Sequence, residues 1–396
     1  MLVVALALSF DFVNGFHDAA NAIATIVATR VLTPVQAVAM SAVGNFSGMI
    51  FGTVFGVLIA ETVGKGIIDT GIISGTTGTY LILSVLVGAI GWDLITWWLG
   101  LPTSSSHALV GGLVGAGLAC AGVSALIGPT DMRSVQMFCM FTLIGGAVGA
   151  VVMLATSGKE RGLRLRQAVL IGLAGGAVIA AAVAGWYLKG HLKGLLTTVI
   201  FMVVSPLVGL GVGYLLTAMI IRGLRHRKSR TVNVYFRKLQ LVSSFFYSLM
   251  HGTSDAQKVM GIITIVLVFD HTIPTFHVPF PVVVACFSAI SLGTFFGGWK
   301  IVKTMASKIT RLHPYQGFSA ETGGGLVLLM NAIFGIPVST THVISSSIMG
   351  VGATKRLSAV RWGVARSVIW AWILTIPFSA LLAFATFSLV RLAGLV

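Results

Sequence analysis

The chain has 396 residues, of which 56% are hydrophobic and only 9% charged. A water-soluble surface needs more charge than that, so a soluble globular domain is excluded and a polytopic all-α membrane protein is indicated. A net charge of +16 would suggest nucleic acid in a soluble protein. Here the basic residues sit in short connections between apolar runs, as cytoplasmic loops do, so no nucleic-acid partner is expected.

The first apolar run has no Lys or Arg ahead of it and no small-residue cleavage site, and it continues into polar residues. It reads as a retained first membrane helix rather than a signal peptide. Membrane segments are expected near 2–29, 35–60, 79–99, 103–127, 134–156, 168–187, 194–221, 239–268, 279–303, 318–334, 337–353 and 359–390. About 10–12 of these enter the bilayer, whose hydrocarbon core a helix of roughly 20 residues crosses. The most charged connections, 157–167 and 222–240, are both basic. The three cysteines lie in apolar runs without paired or metal-type spacing and read as small core residues.

Two stretches occur twice. "GLPTSSSHALVGGLVGAG" at 100–117 returns as "GIPVSTTHVISSSIMGVG" at 335–352, a spacing of 235. "NGFHDAANAIATIV" at 14–27 returns as "HGTSDAQKVMGIIT" at 251–264, a spacing of 237. One duplication explains both spacings. It divides the chain into a first repeat at 1–156 with a hairpin at 79–127, a connecting region at 157–238, and a second repeat at 239–396 with a hairpin at 318–353.

The basic residues set an orientation. With the N-terminus outside and each Gly-Pro stretch forming a re-entrant hairpin, 20 Lys/Arg fall in inside loops, 5 fall outside, and Lys258 lies within a span. Both termini are then extracytoplasmic. An odd number of crossings separates the copies, so the second repeat is inverted relative to the first. Inverted repeats with broken helices and a midplane binding site are a secondary-transporter architecture.

The chemistry follows from residue types. Asp18 and Asp255 stand in apolar helices after a glycine, where each helix is expected to break. A charge at a helix centre costs roughly 2.5–3.5 kcal/mol even on the mild insertion scale, so intramembrane carboxylates mark function. Asp18 with Asn21, and Asp255 with Gln257, offer hard oxygen ligands for a coupling cation, Na⁺ or H⁺; structural capping of a helix break is the compatible alternative. Pro102 and Pro337 end the first limb of each hairpin. Ser104, Ser105 and Ser106, and likewise Ser339, Thr340 and Thr341, then open a helix. Free backbone N–H groups, the positive helix end and three hydroxyls make a receptor for an oxyanion. A single motif of this kind would be an ordinary N-cap; two copies, each with a carboxylate stretch, argue for a site gripping one tetrahedral anion from both ends. Asp18 and Asp255 would repel that anion unless cations arrive with it, which is a symport mechanism. His107, His342, Lys258, Asp11, Asp93, His251 and Glu321 are further intramembrane candidates. Lys258, three residues after Asp255, reads first as its ion-pair partner, with direct anion contact as the alternative.

"NGFHDAANA" with "GLPTSSSH", and "DAQK" with "GIPVSTTH", resemble the inorganic phosphate transporter (PiT) family over nearly the whole chain. The resemblance implies inorganic phosphate as substrate, with Asp18, Asn21, Asp255, Gln257 and the two hydroxyl runs forming the transport site, and Asp18 and Asp255 sharing in phosphate binding. Members commonly carry Asn before each Asp, where this chain has His17 and Ser254. The His17 form resembles bacterial permeases associated with proton coupling or metal–phosphate uptake, which points to a bacterial inner membrane. Sulfate or another tetrahedral oxyanion is the alternative substrate. An intramembrane Ser/His hydrolase would need neither the second copy nor the carboxylates, and coupling carboxylates would be a liability in an anion channel. No enzyme activity and no organic cofactor are expected, a divalent metal could travel with the phosphate, and a homo-oligomer is compatible with the class.

Overall fold

The structure, a computed structural model, describes residues 1–73, 75–127, 132–156 and 194–396. The expected segment 168–187 and the basic stretch 157–167 lie outside the described residues. Among the described residues thirteen α-helices follow in chain order: α1 Leu2–Ala28, α2 Pro34–Phe55, α3 Leu58–Lys65, α4 Gly75–Leu99, α5 Ser105–Ala121, α6 Met132–Thr156, α7 Leu195–Gly223, α8 Ser229–Phe269, α9 Phe280–Phe296, α10 Trp299–Lys303, α11 Pro314–Phe334, α12 Thr340–Ala353 and α13 Trp362–Leu392. Among the described residues the β-structure is one isolated bridge, Ile68 to Leu126.

Seven of these helices are long and apolar enough to cross a membrane, or eight if the bent α9–α10 pair counts as one span. That makes this a multi-pass membrane protein. That number is of the described residues, which leave out the expected segment at 168–187, and short helices do not qualify alone. Helix α12, with 14 residues, reaches only about 21 Å at 1.5 Å per residue, against a hydrocarbon core of about 30 Å. Burial is inverted relative to a soluble protein. Large apolar side chains such as Leu143, Val242, Phe296 and Trp370 are exposed, whereas Asp18, Asn21, Asp255, Lys258 and Glu321 are buried.

Helix α8 begins about ten residues before the expected segment at 239–268, because residues read as a basic connection form its first turns. Its 41 residues span about 60 Å, so the exposed start at 229–235 projects beyond the hydrocarbon while the stretch from Ser243 to Phe269 is mostly buried.

The expected helix breaks lie elsewhere. Helices α1 and α8 run without interruption through Asp18 and Asp255. The glycine before each carboxylate serves close approach instead: a Cβ on Gly15 would sit 2.2 Å from the Ile290 carbonyl oxygen in α9, and one on Gly252 would sit 2.5 Å from the Asn45 carbonyl oxygen in α2. The breaks come one helix later in each half. Gly56, at φ 90°, separates α2 from α3, and Gly297, at φ 67°, separates α9 from α10.

The packing partners repeat between the halves. Helix α1 packs on α9, and α8 on α2; α4 and α5 pack together and on α13, while α11 and α12 pack together and on α7. Each Gly-Pro connection is clasped by the segment beyond the opposite break. Thr304 Oγ1 donates to the Gly100 carbonyl at 3.1 Å, and Thr62 Oγ1 donates to the Gly335 carbonyl at 2.6 Å.

Candidate functional site

Each hydroxyl run opens a helix. Ser104 is the N-cap of α5 and accepts from His107 N at 3.2 Å; Ser339 is the N-cap of α12 and accepts from His342 N at 3.1 Å. These two hydroxyls satisfy backbone donors that a helix start leaves free. They therefore act as caps, and the hydroxyls that reach the central side chains are those of Ser106, Thr340 and Thr341. The helix starts meet: the His107 and His342 rings lie edge to face with centroids 4.1 Å apart, and Trp372 stacks on His342.

Helices α1 and α8 pass beside these starts. Asp18 Oδ2 accepts from Thr341 Oγ1 at 3.2 Å and from Thr340 Oγ1 at 3.5 Å, and Asn21 Nδ2 donates to Thr341 Oγ1 at 2.8 Å. Thr340 Oγ1 also lies 3.1 Å from Asp255 Oδ2, so one hydroxyl stands between both carboxylates. On the other side Lys258 Nζ donates to Asp255 Oδ1 at 2.6 Å and to Ser106 Oγ at 2.5 Å. Thus α1 meets Thr340 and Thr341 of the second copy, while α8 meets Ser106 of the first and Thr340 of the second. The Asn21 Oδ1 and Ser254 Oγ atoms are buried without a protein hydrogen-bond partner. Buried polar atoms are usually satisfied, so this cluster suits a polar ligand.

Gln257 is not part of the cluster. Its Oε1 accepts from Ile59 N at 3.2 Å and its Nε2 reaches the Gly56 carbonyl at 3.5 Å. It satisfies a backbone donor exposed by the α2–α3 break. By the spacing of 237 the counterpart of Asn21 is Lys258, not Gln257, and the two match in contact, since Asn21 meets Thr341 and Lys258 meets Ser106.

Four further side chains stand around the cluster, and of these Tyr247 carries no signal in the sequence. His251 Nε2 lies 3.3 Å from Asp255 Oδ2, and Asp18, His251 and Asp255 each offer a ligand atom within 4.8 Å of the others. The available signal was that His251 precedes Asp255 by four residues, one helical turn. The Tyr247 hydroxyl donates to the Thr340 carbonyl at 3.1 Å, supporting the α12 start. Glu321 in α11 accepts from Thr25 at 2.6 Å, Gln240 at 3.0 Å and Ser243 at 2.5 Å, which ties α1, α8 and α11 beside the site. His17 joins Asp18 Oδ1, at 2.7 Å from its Nδ1, to the hydroxyls of Thr96 and Thr103, at 3.2 and 3.4 Å from its Nε2. Asp11 and Asp93 are buried, Asp11 beside the Cys286 thiol and Asp93 beside the Ser105 hydroxyl.

Residues 14–167 and 166–383 match the profile of the phosphate transporter family. A protein of Rhizobium meliloti named "Probable low-affinity inorganic phosphate transporter" is 43% identical over 382 residues, covering 96% of this chain and 93% of its own length. One of Bacillus subtilis with the same name is 35% identical, covering 96% of this chain and 94% of its own length. A solved structure titled "The sodium-dependent phosphate transporter" superposes with a TM-score of 0.70 at 26% identity, covering 99% of this chain and all of that one. These relatives are named as transporters and not as enzymes.

Proposed function

The chain belongs to the phosphate transporter family, and from that membership and the geometry around Asp18 and Asp255 we propose a secondary transporter that carries inorganic phosphate with a coupling cation by alternating access. The observation that carries the reading is the convergence of hydroxyls from both copies on two buried carboxylates, Thr340 and Thr341 directly and Ser106 through the Lys258 ammonium. Two carboxylates beside an anion repel it, and positive charge on them removes the repulsion and completes the anion site. Phosphate then meets the free N–H groups and hydroxyls at the starts of α5 and α12, both favourable to negative charge. Residues of the cation position are Asp18 and Asn21, with Asp255 shared across Thr340.

An inverted repeat accounts for the exchange of packing partners, α1 with α9 and α8 with α2, and for the reciprocal clasps at Gly100 and Gly335. In this reading α4–α5 and α11–α12 are the re-entrant hairpins, the termini are extracytoplasmic, and the bacterial relatives favour an inner membrane. The name of the solved relative favours sodium as the cation. A second reading rests on the Asp18–His251–Asp255 group, whose oxygen and imidazole ligands suit a divalent metal ion transported together with phosphate.

The test is uptake of labelled phosphate by the purified protein in liposomes, with sulfate as competitor. Phosphate entry resistant to excess sulfate supports the reading. Equal inhibition by sulfate and phosphate would make the substrate a general tetrahedral oxyanion, and stimulation only by added divalent metal would favour the metal–phosphate form.

A further inference from the structure

The two halves supply positive charge differently at equivalent positions. An ammonium group has three donors, and those of Lys258 go to Ser106 Oγ at 2.5 Å, Asp255 Oδ1 at 2.6 Å and the Val338 carbonyl at 2.7 Å. The three oxygens come from α5, from α8 and from the connection before α12, and the side chain is 3% exposed. With every donor engaged, the ammonium has none left for an anion. Its surroundings resemble those of a bound cation: a carboxylate, a hydroxyl and a backbone carbonyl, all oxygen.

At the equivalent place in the first half stands Asn21, whose amide donates to Thr341 and whose Oδ1 is buried without a protein partner. Among the described residues Asp18 has no Lys or Arg within ion-pair distance; its neighbours are two imidazoles, His17, whose Nδ1 lies 2.7 Å from Oδ1, and His251, within 4.8 Å, which carry charge only when protonated. A buried carboxylate without a fixed countercharge is costly. The first half therefore has the carboxylate and the free acceptor but no permanently charged ammonium or guanidinium beside them.

We propose that the Lys258 ammonium is a permanently attached cation filling the second half's cation position, so that only the Asp18 half takes a free coupling ion. The inference rests on the phosphate symport reading and sets its stoichiometry. Because Lys258 stays with the protein through the cycle, it neutralises Asp255 for the anion but adds nothing to the driving force.

Two measurements test it. In wild-type liposomes the initial rate of labelled phosphate uptake should rise with the first power of the driving cation concentration, and second-power dependence would overturn the proposal. In purified Lys258→Asn, which installs the residue of the first half, binding of radioactive sodium at saturating phosphate should reach one ion more per protein than in the wild type. An unchanged sodium count in folded K258N, with phosphate affinity weakened alike at every sodium concentration, would make Lys258 an anion contact and overturn the proposal. If K258N does not fold, the wild-type order decides alone. Failure of the phosphate reading has a separate signature, absence of phosphate uptake by the wild type, and the sodium count on purified protein still reads the cation position in that case.

Discussion

Replacing Asp18 with Asn removes one charge from the centre while keeping the side chain's shape. The wild-type carboxylate accepts from Thr341 at 3.2 Å and is buried. A monovalent cation held about 4 Å from it gains roughly 4 kcal/mol at an effective dielectric of about 20. Losing that attraction weakens cation affinity by about 10³-fold at 1.4 kcal/mol per tenfold. The variant should fold, because an amide oxygen still accepts from Thr341 and the desolvation of a buried charge is relieved. In liposomes, D18N should show normal thermal unfolding and no gradient-driven phosphate accumulation at cation concentrations that saturate the wild type. Accumulation by D18N with the wild-type cation dependence would refute the assignment of Asp18 to the cation.

Ser105→Ala and Thr340→Ala should each raise the concentration of phosphate needed for half-maximal uptake, on the order of tenfold for one hydrogen bond to a charged group at about 1.5 kcal/mol; unchanged values in both would remove these hydroxyls from the anion site. Gln257→Ala leaves Ile59 N–H without its side-chain acceptor and should cost about 1–3 kcal/mol of stability, read by thermal unfolding. A change in cation order with unchanged stability would return Gln257 to the site. Glu321→Ala strips the acceptor from three buried donors, Thr25, Gln240 and Ser243, and should destabilise by several kcal/mol, since each unsatisfied donor costs about 1–3. Wild-type melting of E321A would show that the network is not structural.

Much of the centre was legible because the duplication places like residues at a constant spacing. Gly-Pro followed by hydroxyls gave the starts of α5 and α12, since proline and Ser/Thr act locally on a helix end. Local signals also misled. Gly15 and Gly252 were read as helix breaks, whereas each lets a helix of the other half approach its backbone; the partner that requires a glycine is invisible in the sequence around it. Gln257 was matched to Asn21 by chemical likeness, although the register of the repeat pairs Asn21 with Lys258, and one position around a helix turns a side chain to another face. Ser104 and Ser339 joined the anion site by proximity in sequence, although an N-cap hydroxyl is occupied by its own helix. Glu321 could not be placed at all from sequence, because its partner Thr25 lies 296 residues away.

The most direct test of the account imposes a sodium gradient and a proton gradient separately on liposomes holding the purified wild-type protein and follows labelled phosphate. The account predicts accumulation above equilibrium under one of these gradients, abolished when that gradient is collapsed. Phosphate entry that only equilibrates, with the same rate under either gradient and under none, would contradict coupling through Asp18 and leave a passive pathway in its place.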